Sequence, residues 1–221
     1  MTRATILLIC VLAIVLASVG CHRNETLGSA PRSEKASSVA GWKEISSSGV
    51  TFRLPSDWKS FELSRENMEK GLGAAFGDDP KFAELRKQVG EASKSGLVKL
   101  MAFETSTVKS GFATSCNLII QDIPLPLTLE QVADANVSQI SSIVAPGTKP
   151  KLEYTDVRSG KLALIRYELK TQNPAVPLIV SLAYASLKGQ RMAVITFGGP
   201  VASEEHIRGI AKQAMEDCKF D

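Results

Sequence analysis

Histidine is scarce in this chain, with only His22 and His206 among 221 residues. Cysteine is sparse too, limited to Cys10, Cys21, Cys116 and Cys218. This leaves no paired His/Cys spacing of the zinc-binding type. Neither a His-Glu-x-x-His nor a Gly-x-Ser-x-Gly run is present to build a hydrolytic centre. Clusters of like charge are missing as well. No Lys/Arg run is longer than Arg86-Lys87, and 26 basic and 23 acidic side chains are scattered along the chain. The electrostatic footprint of a nucleic-acid binder is therefore absent. Beyond the first twenty residues there is no apolar run of the roughly eighteen residues that a membrane helix requires.

The N-terminus is of another character. Arg3 is the only charge before His22, and Ala4 to Gly20 reads "ATILLICVLAIVLASVG". A positive start, an apolar middle and small residues at the end form an export signal. The segment closes on "ASVGC". Small residues ahead of Cys21 resemble the lipobox of bacterial lipoproteins, in which the cysteine sulfur receives a diacylglyceryl group through a thioether and the chain is cut just before it. Val19 and Gly20 follow that pattern, whereas Ser18 stands where Leu is commonest. Two other fates fit the same residues: cleavage after Ala17 by an ordinary signal peptidase, or retention of the apolar segment as a membrane helix.

The resemblance implies a signal peptide over 1–20, lipidation at Cys21, and attachment to the cell membrane or outer membrane on the extracytoplasmic side. His22, where an Asp would favour the inner membrane in enteric-type bacteria, leans toward the outer one. Each buried acyl methylene contributes about 0.8 kcal/mol, and two chains hold a protein stably on a bilayer. Attachment would then come from lipid, since the charge is close to balanced.

Residues 22–40, "HRNETLGSAPRSEKASSVA", lack apolar periodicity and read as a flexible tether of roughly 24 Å root-mean-square length. Residues 41–221 are then long enough to form a single domain without a metal or a staple. Val50, Phe52 and Leu54 alternate as a half-buried strand does, after a Ser/Gly turn at Ser46–Gly49, and Pro55 ends them. Asp79 and Pro80 begin a helical pattern carried by Phe82, Leu85, Val89 and Ala92, closed by Gly96. Strands are expected near 98–104 and 113–121. Thr128 and Gln131 form a capping-box pattern ahead of an apolar face made by Leu129, Ala133, Val137, Ile140 and Val144. Four strands follow, near 151–157, 161–170, 178–186 and 191–197, joined by short turns and so antiparallel. Ser203 is placed to cap a last helix bearing Ile207, Ile210, Ala211 and Ala214. The class is α+β, an antiparallel β-sheet with helices packed on it.

This order, opening with "GVTFRLPSDWKSF" and continuing through "NLIIQD", resembles the Mog1/PsbP-like superfamily across residues 41–221. The resemblance implies an α/β/α sandwich and, since known members are mostly non-enzymatic, a binding or adaptor role. Its partner would be an envelope protein; the alternatives are a carrier of an amphiphilic small molecule such as a lipid or pigment, or an enzyme whose polar groups converge from distant segments. The resemblance brings no catalytic residues, metal or cofactor with it.

Other features are read residue by residue. Cys116 and Cys218 are the two thiols of the domain, and outside the cytoplasm they are a candidate disulfide. A loop of 102 residues would give about 4.7 kcal/mol in the chain-entropy model, and two buried thiols are the alternative. "GLGAAFG", Gly71–Gly77, lacks the strand context of a nucleotide loop and reads as a helical connection. "FGGP", Phe197–Pro200, reads as a turn. His206, beside Glu204 and Glu205, reads as part of a solvent-facing capping turn, and Asp78 and Asp79 as helix caps. Trp42 and Trp58 are expected in the core or at its edge.

Overall fold

A computed structural model describes residues 41–63, 96–108, 112–123, 126–171 and 175–220, together with positions 80, 83, 86, 87, 89, 90 and 173. The expected export segment, Cys21, the expected tether, Gly71–Gly77, Asp78 and Asp79 lie outside the described residues. So do Phe82, Leu85 and Ala92 of the expected helix. Ala83, Arg86, Lys87, Val89 and Gly90 are helical, and Val89 is buried.

The strands and helices with continuous described residues are β1 (Trp42–Ser47), β2 (Val50–Pro55), β3 (Lys59–Glu62), β4 (Val98–Phe103), β5 (Ser115–Asp122), α1 (Leu129–Ile140), β6 (Lys151–Val157), β7 (Gly160–Lys170), β8 (Leu178–Lys188), β9 (Arg191–Pro200), α2 (Glu204–Glu216) and β10 (Lys219–Phe220). Seven strands form one antiparallel sheet in the order β3-β4-β5-β9-β8-β7-β6. A second sheet, β1-β2-β10, is separate from it.

Two-residue alternation sends each strand's side chains to opposite faces, and each face has its own core. On one, Ile119, Ile165, Tyr167 and Val194 meet Val132, Ala133 and Ile140 of α1. On the other, Leu118, Leu182, Ile195 and Phe197 meet Ile207, Ile210, Ala211 and Ala214 of α2, with Phe52, Leu54 and Trp58 from the small sheet's side. Trp58 is fully buried and Trp42 lines the edge of that core. Burying each large side chain of this kind stabilises the fold by about 1.5–3 kcal/mol.

Local signals hold where the chemistry is local. Thr128 and Gln131 make both capping-box bonds: the Thr128 N–H donates to Gln131 Oε1 (2.9 Å) and the Gln131 N–H to Thr128 Oγ1 (3.3 Å). The β1–β2 hairpin turns through Ser48 and Gly49, both at positive φ, as a tight two-residue hairpin loop requires. Elsewhere the structure corrects the expectation. "FGGP" is strand, not turn: β9 runs on to Pro200, with Gly198 and Gly199 paired to β8. A Cβ on Gly199 would lie 2.9 Å from Ile207 Cδ1 and 3.3 Å from Thr114 Oγ1. Glycine here lets α2 approach the sheet closely. Ser203 makes no side-chain cap bond, because a 3-10 turn at Val201–Ser203 leads into α2. Helix α1 stops at Ile140, short of Val144.

Candidate functional site

The polar chemistry of the described residues gathers around α2. At its start, Glu204 receives a two-pronged contact from Arg166 of β7: Nε to Oε1 at 3.0 Å and Nη2 to Oε2 at 2.6 Å. Arg208, one turn along, donates to the same carboxylate at 2.9 Å, and Arg166 also meets Glu168 at 2.6 Å. Alternation along β7 explains the placement. Leu162 and Leu164 face the α2 core, and two and four residues further on that face turns polar at Arg166 and Glu168. The hydrogen bond from Arg166, then that from Arg208, hold the Glu204 carboxyl down at about 2 against the opposing effect of burial. The same bond raises the Arg166 guanidinium above its ordinary value. These charges are closed on one another, which suits fastening α2 to the sheet rather than proton transfer.

His206 is not simply a solvent-facing turn residue. Its Nε2 lies 3.1 and 2.9 Å from the two carboxylate oxygens of Glu104, 102 positions earlier. Glu104 follows β4 and is nearly buried. Its N–H donates to the Thr114 carbonyl (2.9 Å), and its carbonyl accepts from Thr107 Oγ1 (2.8 Å). The pair has the makings of a base and its orienting acid. However, among the described residues no group of three His, Cys, Asp or Glu side chains is arranged to hold a metal. Nor, among the described residues, is a hydroxyl or thiol bonded to the imidazole to serve as nucleophile.

At the other end of α2 lies a cleft of about 340 Å³, lined by Glu44, Thr51, Phe52, Arg53, Arg158, Asp217 and Lys219. Register explains the assembly. Glu44 pairs with Arg53 across β1–β2, and Thr51 pairs with Lys219 across β2–β10. All four therefore share the outer face of the small sheet. Asp217 ends α2, and Arg158 reaches in from the β6–β7 turn. Asp217 is bridged by Arg53 (3.1 Å) and Arg158 (2.8 Å).

Cys116 and Cys218 are both buried in the α2-side core as free thiols. Cys116 shares its face of β5 with Leu118. Cys218 sits between α2 and β10, just before the Lys219–Thr51 pairing. Burial pushes the Cys218 thiol up to about 12. It also raises the Cys116 thiol, and proximity to Cys218 adds to that rise. The sequence alone points to both cysteines and to His206, but not to Glu104, Arg53, Arg158 or Lys219. These carry only ordinary surface-charge signals along the chain.

No protein-family model and no curated protein matches this chain. Solved structures do. Cyanobacterial PsbP (CyanoP) from Synechocystis is similar at 12% identity, covering 88% of this chain and 99% of its own, with a TM-score of 0.50. LpqN, described as involved in cell envelope biogenesis of Mycobacterium tuberculosis, is similar at 7% identity, covering 81% and 90%, also with a TM-score of 0.50. The fold is thus PsbP-like α+β. Among the described residues no helix is long and apolar enough to cross a membrane.

Proposed function

We propose that this protein is a lipid-anchored, extracytoplasmic module of the bacterial cell envelope that binds a partner and performs no catalysis. The observation that carries the reading is the PsbP-like fold, shared over most of the chain with an envelope-biogenesis protein and with CyanoP. Residues 1–20 ahead of it have the pattern of an export signal, directly followed by Cys21. The acyl chains on Cys21 provide the attachment, and residues 22–40 let the folded body stand off the surface. The reading of no catalysis is supported by the Glu204 and Asp217 carboxylates, each of which is held by two arginines. Carriage of an amphiphile inside the fold would require an apolar cavity between sheet and helix. The described interfaces are filled by side chains such as Ile207, Phe197, Val132 and Ile165, and the 340 Å³ cleft is polar.

The test is fatty-acid labelling and fractionation of the full chain beside Cys21→Ser. The native chain takes the label and sediments with membranes, while the variant loses the label. A Cys21→Ser chain that stays membrane-bound with its leader intact would make the N-terminal helix the anchor.

A further inference from the structure

We infer that the cleft between the small sheet, the end of α2 and the β6–β7 turn is a binding site for a singly charged oxyanion of the phosphodiester class. Three basic side chains, Arg53, Arg158 and Lys219, face two acidic ones, Glu44 and Asp217, around about 340 Å³. Part of this charge has a structural task. Asp217 and the negative end of α2, which has no basic residue in its last turn, are answered by Arg53 and Arg158.

Three features remain after that pairing, the first being the Glu44 carboxylate, which has no ion-pair partner among the described residues. Lys219 lines the cleft with no ion-pair partner among the described residues. The Nε–H of Arg53 is closed to solvent and has no acceptor among the described residues, although the other end of the same guanidinium holds Asp217, so a ligand in the cleft reaches it only after a small turn of the side chain. A buried charged donor without an acceptor is unfavourable, and a guanidinium is shaped to meet two oxygens of one group. The missing component is therefore an oxygen acceptor carrying negative charge. The balance of charge sets how much. One excess positive charge suits a monoanion, and the Asp217 and Glu44 carboxylates oppose a second negative charge. A phosphodiester, with one negative charge shared by two free oxygens, meets both conditions. This site lies on the described residues alone and does not depend on how the protein is anchored.

The test titrates the full chain, held in neutral detergent micelles at fixed ionic strength, by calorimetry. One arm adds glycerophosphoglycerol, a soluble phosphodiester; the other adds short-chain phosphatidylglycerol. Saturable binding with Kd of about 1 mM or tighter is expected in at least one arm. Binding in both arms identifies the headgroup as the recognised part, and binding of the lipid alone makes the source a membrane lipid. Arg53→Gln and Lys219→Gln should each weaken it roughly tenfold or more. Lys219 is exposed, so its variant keeps the fold and reads the site alone. No saturation in either arm by about 10 mM, or affinity unchanged in Lys219→Gln, would overturn the inference.

Discussion

Gly199 offers the sharpest test of how α2 is seated. A methyl group added there would sit 2.9 Å from Ile207 Cδ1, 3.3 Å from Thr114 Oγ1 and 3.4 Å from Thr114 Cα. Ile207 and Thr114 are both fully buried, and the Thr114 backbone is fixed by bonds to Glu104 and Thr107. The Ile207 tip is therefore the atom that must move, within a packed core. Overpacking of this kind costs about 1–3 kcal/mol, or a fall in Tm of roughly 2–4 °C per kcal/mol in a chain this size. Gly198→Ala is the control. Its new Cβ meets nothing closer than 3.5 Å and should change stability little. Ile207→Val removes the clashing methyl and alone costs about 0.5–1.5 kcal/mol. In Gly199→Ala/Ile207→Val the two costs should add to less than their sum, with a coupling of about 1 kcal/mol. Urea unfolding of the four chains measures this. A neutral Gly199→Ala, or strict additivity with Ile207→Val, would refute the account of β9 as a strand that only glycine lets α2 approach.

Three further outcomes are expected. Glu204 has a folded value near 2, below the ordinary 4.5, so its contribution is complete above about 4.5 and is lost as pH falls through 2. Glu204→Gln should lower stability by about 1–2 kcal/mol near neutrality and flatten the acid limb of the denaturation curve; an unchanged limb would contradict this. Asn136 is buried on the sheet side of α1, and its Oδ1 accepts from no donor among the described residues. Asn136→Leu should therefore stabilise the fold by about 1 kcal/mol in thermal unfolding, and a loss of that size would show that the amide is needed. In exported protein we propose that Cys116 and Cys218, buried in one core, are joined. Reductant should then add two hydrogens to the intact mass, and an unchanged mass would leave them as buried thiols.

What the sequence reveals follows the distance over which each signal acts. The capping box at Thr128 and Gln131, the alternation of Val50, Phe52 and Leu54, and the apolar face of α2 are set within a few residues. They can be read directly. β10 cannot, because Lys219 and Phe220 are too few to show a period and are strand only by pairing with β2. Gly198, Gly199 and Pro200 carry turn chemistry, yet they extend β9 because the close approach of Ile207 requires glycine there. Glu104 and His206 stand 102 positions apart, and Arg53, Arg158 and Lys219 come from three different segments. Only strand order and register bring such groups together, and neither is encoded in local composition.

The most direct measurement is the intact mass of the protein purified from membranes. The account predicts a chain beginning at Cys21 and carrying a diacylglyceryl group. A mass that retains Met1, or one that begins after Ala17 without lipid, would contradict it.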